Sequence, residues 1–538
     1  MKKILIWLLA LCMALGTFSL AGCKRDGNNN GVILDPNKEV INVSLFSAGF
    51  GTEWMTNMLN DYNKTLTGNY QFNRIAENTD SIDTITDQII AGVKKADIYF
   101  NDTSNFKMLM SMGVLLDLSE VWDYTPSGEE KTVREKIIDS ETFEEAFSYE
   151  KKIYGVPFSQ GMSGIIYDHD LFEDANLLAK DPSTKNGLTK GTDGIEGTFD
   201  DGLPETMEEF VKLCDTIKFD RHYWPFLYTD TVGGGITAPV LETVAGLYEG
   251  LESYKTTIVY DGNYTSPSTG TVTKVIPAEG YKTYALGEGR IKAVDFLCDV
   301  LLNTDYYDSS LQGINHTASE EHFLYSHSIG RTRVAMTLNG CWWENEAKTA
   351  FATDARRNGE KWGYGKRDFR FIPVPAIEGQ SETMNGKYVF ATNADGSVFA
   401  MKSEDEEKNK AMLDFIKFFV SDKGLRYFGV QTGSMPAYRF ELSEEDYNSL
   451  TPFSQNQYDI LNCENTVILR PELIAQLSPI NYLTANSPER WGAIINGYEY
   501  ANAYDGVVRT SESEYVAALK TRYDAKSWAQ IYDQIAGN

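Results

Sequence analysis

Residues 40–46 (Val-Ile-Asn-Val-Ser-Leu-Phe) alternate apolar and polar side chains with the two-residue period of a strand. A Gly-containing loop at 47–51 follows. Trp54, Met58 and Tyr62 then recur every fourth residue, with Met55 and Leu59 beside them, which predicts a helix. The unit repeats as a strand at 70–75, a helix carrying Ile82, Ile85, Ile89, Ile90 and Val93, a short apolar strand at 96–100, and a helix from Phe106. Strands alternating with helices predict an α/β domain with a mainly parallel sheet. Ligands of such sheets sit in loops beyond the carboxyl ends of the strands, here 47–51 and 101–105.

A second α/β pattern begins near Lys151, with strands predicted at 154–158 and 164–167 and a short helix at 171–178. Thr206 and Glu209 have capping-box spacing and open a helix whose apolar face is Met207, Phe210, Val211, Cys214 and Ile217. Ser403 and Glu406 repeat that spacing ahead of Met412, Phe415, Ile416 and Phe419. Residues 250–290, rich in Tyr, Thr and Gly, read as irregular or hairpin structure.

The N-terminus has a different pattern. Lys2 and Lys3 precede an apolar run from Ile4 to Leu15, and small residues lead to Cys23. This is the layout of a secretory signal peptide over residues 1–22. The run is shorter than the ~20 apolar residues of a membrane span. Leu20-Ala21-Gly22-Cys23 looks like a bacterial lipobox, in which Cys23 carries the lipid, and residues 23–38 read as a flexible tether. The body is therefore expected on the outer face of the bacterial cell membrane, attached through lipid alone. The later cysteines, Cys214, Cys298, Cys341 and Cys463, form no CxxC or CxxH pattern, so clustered zinc ligation is not expected. They could pair, but Cys214 and Cys298 lie in helical apolar patterns that favour buried free thiols.

Charge narrows the partners. With 49 Lys+Arg against 77 Asp+Glu, the net charge of −28 disfavours nucleic acid and anionic lipid headgroups. The chain has 31 Tyr, 27 Phe and 9 Trp but five His, which favours neutral ring-shaped ligands over histidine-centred metal chemistry.

Several segments, in order, resemble the extracellular solute-binding proteins of carbohydrate ABC transporters, the maltose-binding-protein-like group. Ala96-Asp97-Ile98-Tyr99-Phe100-Asn101-Asp102 resembles the family's first-lobe strand and ligand loop. Ile153-Tyr154-Gly155-Val156-Pro157 and Ile166-Tyr167-Asp168 with Leu171-Phe172 resemble the entry to its second lobe, with Asp168 where Asn is usual. Arg333–Trp342, Phe371–Gly379 and Asp414–Gly424 are similar to three later segments. The resemblance implies a two-lobe α/β fold of the type II periplasmic-binding-protein kind, with the ligand in a cleft between lobes joined by hinge strands. Lobe 1 is expected to comprise 39–150 and 373–425, and lobe 2 to comprise 151–372 and 426–538. It also implies a monomer that captures sugar by hinge closure and delivers it to permease subunits, with no catalysis and no required cofactor.

The site candidates follow. Trp342 comes after Asn339-Gly340 at the end of an apolar strand, where its ring can stack on the C–H face of a sugar. Trp343 has a core alternative, and Glu344 could accept sugar hydroxyls or cap the following helix. Asn101, Asp102 and Thr103 can hydrogen-bond hydroxyls or simply form a turn. Tyr167 matches an aromatic pocket position in the family, and Phe50 and Trp54 could wall the opening. Ser159, Gln160, Ser163, Asn393, Asp395 and Ser397 are weaker candidates.

In the Gly-rich segment 186–204, Asp193, Glu196, Asp200 and Asp201 could serve a structural calcium ion or form a solvated acidic loop. Two other functions remain open: the same fold taking a peptide, polyamine or other small solute, and a surface glycoside-acting enzyme. The latter would need two placed carboxylates, and no nucleophile-elbow, zincin or phosphate-loop motif occurs.

Overall fold

The computed structural model describes residues 31–47, 49–75, 82–102, 106–228, 236–311, 313–328, 330–393, 395–478 and 523–536. Cys23, the signal segment and Thr103 lie outside them.

Two sheets organise the chain. The first contains β1 (Glu39–Leu45), β2 (Tyr70–Arg74), β3 (Ile98–Asp102), β6 (Val156–Pro157) and β14 (Gly396–Ala400), in the order β2-β1-β3-β14-β6. The alternating period puts Ile41, Val43 and Leu45 of β1 inside. β1 pairs in parallel with β2 and β3, and β14 runs antiparallel to β3 with Ser397 opposite Asn101. The helix Glu53–Thr65 buries the predicted stripe of Trp54, Met55, Met58, Leu59 and Tyr62.

The second sheet contains β7 (Met162–Asp168), β8 (Trp224–Leu227), β11 (Val334–Gly340), β12 (Phe369–Ile372), β13 (Tyr388–Thr392) and β15 (Thr466–Leu469). β7 is buried along its whole length and pairs antiparallel with β11, β12 and β13. Two hairpins, β4 (Ser148–Tyr149) with β5 (Lys152–Ile153) and β9 (Gly262–Thr265) with β10 (Val272–Val275), stand apart.

The chain passes from the first sheet to the second between β6 and β7, returns between β13 and β14, and crosses again to the second between β14 and β15. The expected boundary at 373 is therefore too early, because the apolar strand β13 pairs with β7 and keeps 388–392 in the second sheet. The boundary at 425 is also too early. The helix Asp422–Thr432 stays with the first sheet, where Phe428 meets Trp54 at 5.1 Å between ring centroids.

Local signals explain further differences. The Thr206–Glu209 capping box forms in full ahead of the helix Met207–Asp215. At the second site, Asp405 caps the helix Glu406–Phe419 by accepting from Glu407 and Lys408 N–H, while Ser403 Oγ accepts from Asp405 N–H. Residues 250–290 hold the β9–β10 hairpin but also the helices Leu251–Val259 and Lys282–Leu286, whose apolar faces were hidden by their Tyr and Thr content.

Candidate functional site

A cavity of about 180 Å³ opens where the two sheets exchange strands. Phe46 and Phe50 reach it from the loop after β1, and Asn101 and Asp102 from the end of β3. Phe158 and Ser159 come from the passage between β6 and β7, Asn393 and Asp395 from the passage into β14, Gly396 from the start of β14, and Trp342 from just beyond β11. Its walls thus come from strand ends of both sheets, the place where doubly wound sheets offer ligand sites.

Trp342 is half-buried and reaches towards the first sheet: its Cδ1 would lie 3.3 Å from a Cβ placed on Gly49, whose φ of +84° itself favours glycine. Asn345, three residues on, donates to the Gly49 carbonyl at 2.5 Å. The loop after β1 is therefore held against the turn that carries Trp342.

The polar groups divide by partner. Asn101 is buried, and its Nδ2 donates to Asp102 Oδ1 at 3.1 Å while its Oδ1 has no protein partner. An acceptor left unpaired at a cavity wall favours an arriving hydroxyl donor. The Gln160 amide, buried in the first passage, likewise has neither its oxygen nor its nitrogen partnered. Asp395 is different. It accepts from Thr392 Oγ1 at 2.9 Å and forms an ion pair with Arg470, so its charge is already matched within the protein.

Other candidates lie elsewhere. Tyr167 is in the second core, where its hydroxyl meets His169 Nδ1 at 3.1 Å and its ring packs on Phe172, at the end of β7 away from the cavity. Burial pushes its phenol pKa far up. Trp343 is fully buried among Phe323, Phe351, Phe369 and Phe453. Glu344 is buried and accepts from Thr451, the N-cap of the helix Pro452–Asn462, and burial raises its pKa to about 7. It neither faces the cavity nor caps its own helix. Trp54 is core, Ser163 and Ser397 are buried within β7 and β14, and Ser159 and Asn393 line the cavity.

The 186–204 carboxylates fold onto their own loop. Asp193 accepts from Ile195 N–H, Glu196 from Lys185 N–H, Asp200 from Thr192 N–H and Asp201 from Gly197 N–H. Among the described residues, the three-residue set with ligand atoms all within 4.8 Å is instead His316, Glu320 and Glu346. The sequence reading set histidine-centred metal chemistry aside on the low His count, although His316 and Glu320 stand four apart and Glu346 joins them only through the fold. Cys214, Cys298, Cys341 and Cys463 are free thiols, and burial raises the Cys214 and Cys341 pKa values, the latter to about 12.

A model of the bacterial extracellular solute-binding protein family matches residues 57–439. The chain belongs to that family. No curated protein sequence matches this solute-binding protein. Solved structures share its fold at low identity. Apo RafE from Streptococcus pneumoniae aligns over 93% of this chain and 100% of its own, with TM-score 0.56 and 15% identity. RafE in complex with raffinose aligns over 92% and 100%, with TM-score 0.51 and 15% identity. The cyclic alpha-maltosyl-1,6-maltose binding protein from Arthrobacter globiformis aligns over 92% and 100%, with TM-score 0.54 and 14% identity. Among the described residues of this solute-binding protein, no helix is long and apolar enough to cross a membrane.

Proposed function

We propose that this solute-binding protein captures a sugar or short oligosaccharide in the cavity beside Trp342 and delivers it, without chemistry, to an ABC-transporter permease. Lipid on Cys23 would hold it at the outer face of the membrane. The observation that carries the reading is the half-buried indole of Trp342 in one cavity with the unpartnered Asn101 Oδ1. A sugar presents both complements, a C–H face and hydroxyl donors. Asp395, one of the two carboxylates lining the cavity, is already paired with Arg470. The raffinose complex of RafE and the cyclic alpha-maltosyl-1,6-maltose binding protein, which share the fold, support the same ligand class.

Thermal unfolding against a panel of mono- and oligosaccharides tests it. Ligand at 100 times its Kd stabilises by about 2.7 kcal/mol. A shift with one glycan series, lost in Trp342→Ala, is expected. Stabilisation by peptides or polyamines alone would overturn the sugar and leave the fold untouched.

A further inference from the structure

His316 opens the helix His316–Leu324, and Glu320 stands one turn later on the same face. Glu346 closes the neighbouring helix Trp343–Glu346, four residues beyond Trp342. The fold brings one ligand atom of each within 4.8 Å of the other two. His316 Nε2 lies 3.5 Å from Glu320 Oε1 and 3.4 Å from Glu346 Oε2.

These separations are long for a charge-assisted N–H···O bond, which spans about 2.7–2.9 Å. A single Nε2–H also cannot point at two carboxylates at once. The spacing instead fits the edge of a coordination tetrahedron. Zinc bonds of about 2.0–2.2 Å to imidazole nitrogen and carboxylate oxygen set neighbouring ligands about 3.3–3.6 Å apart. Glu320 is only 6% exposed, and Asn339 Nδ2 donates to its Oε1 at 3.4 Å. A hydrogen-bonding partner of this kind orients a metal-ligating carboxylate.

We propose that His316, Glu320 and Glu346 bind a divalent transition metal of the zinc class, with water in the fourth position. One nitrogen and two carboxylates do not meet the six to eight oxygens that calcium takes, and they suit zinc. The ion bridges the helix His316–Leu324 to the turn carrying Trp342. Asn339 extends the tie to β11, so the metal stiffens the cavity wall from behind.

Chelator-treated protein is titrated with zinc by calorimetry and with cobalt by visible absorption, alongside His316→Ala, Glu320→Gln and the control His222→Asn. His222 is exposed and outside the set. One equivalent per chain and tetrahedral cobalt bands are expected. Both site variants should weaken binding by more than about 10-fold, because even partners outside the ligand set cost about 10–100-fold. The control should not change it. Absence of stoichiometric binding, or binding that survives in the site variants, overturns the site and leaves an imidazolium between two carboxylates. If Glu320→Gln fails to fold, His316→Ala decides, since that side chain is 34% exposed and its loss leaves no buried void.

Discussion

A Cβ placed on Gly340 would lie 2.4 Å from Cη2 of Trp342, and 2.5 Å from two further ring atoms. The indole folds back over the strand it has just left, and only a residue without a side chain leaves room for it. Gly340→Ala should therefore push the ring out of its place at the cavity. Loss of a buried aromatic anchor typically costs about 2 kcal/mol or more of binding, roughly 30-fold. Calorimetry with the sugar found by the thermal panel should show that loss in Gly340→Ala and in Trp342→Ala alike. Retained affinity in Gly340→Ala would mean the ring position does not matter to binding.

Adjacent tryptophans should separate cleanly. Trp343 sits at 0% exposure among four phenylalanines, and its truncation to Ala should cost about 3–5 kcal/mol of stability. Trp342→Ala, from a half-buried position, should cost much less stability and mainly binding. Urea unfolding of the two variants checks the split, and equal losses would contradict it.

The contrast between these neighbours also marks what the sequence could convey. Strand alternation at 40–46 and the four-residue stripe of Trp54, Met58 and Tyr62 are local signals, so the first sheet and its helix were legible. The convergence of Trp342, Phe50, Asn101 and Asp102 was legible only because each lies at or just beyond a strand end, and strand ends of doubly wound sheets gather at one edge. Tyr167 was misplaced because it stands at the far end of β7, opposite Met336, whereas the cavity lies at the Ser163 end, opposite Gly340. Glu344, read as a hydroxyl acceptor or a cap for the following helix, instead meets Thr451, a partner 107 residues away that local spacing does not reveal. The domain boundaries failed for a similar reason. Tyr388–Thr392 is as apolar as a first-sheet strand, and only its pairing with β7 assigns it.

Asp168, where the family resemblance leads one to expect Asn, has two arginine partners. Its Oδ2 lies 2.6 Å from Arg367 and 3.0 Å from Arg333, and Arg367 is 2% exposed. Asp168→Asn should therefore leave a buried guanidinium uncompensated and cost about 3–5 kcal/mol. Sugar affinity should be unchanged, because Asp168 is remote from the cavity lining. A neutral effect on denaturant midpoint would rule out a structural role for the pair.

Acid should act through Asp97. Burial penalises its carboxylate, but the Asn42 N–H at 3.0 Å, Lys408 at 2.9 Å and Lys94 at 3.1 Å outweigh that penalty and hold its pKa below the ordinary value. A folded pKa below the unfolded one contributes stability above the unfolded value, near 3.9, that is lost as pH falls through the folded value. Asp97→Asn should be less stable than the parent at pH near 7 by about 1–3 kcal/mol. The difference should shrink as pH falls below the unfolded value and through the folded one. Unfolding curves at the two pH values check this, and a pH-independent gap would refute the linkage.

Arg470 ties three parts of the chain together. Fully buried at the end of β15, it pairs with Asp395 in the return passage, donates to the Ile138 carbonyl at 3.2 Å, and lies 4.2 Å over the Phe143 ring. The second sheet thereby grips both the first sheet's helices and the strand that returns to it. Removing one member leaves the other buried and unpaired, so Arg470→Met and Asp395→Asn should each cost about 3–5 kcal/mol. The double variant should recover part of the loss, because it removes the stranded charge as well as the attraction. Asp395 also lines the cavity, so the single Arg470→Met frees a carboxylate there. That variant should bind small cations such as polyamines more tightly than the parent does. A double variant no more stable than either single one, together with unchanged cation binding in Arg470→Met, would show that the pair neither carries the passage nor sets the charge of the cavity.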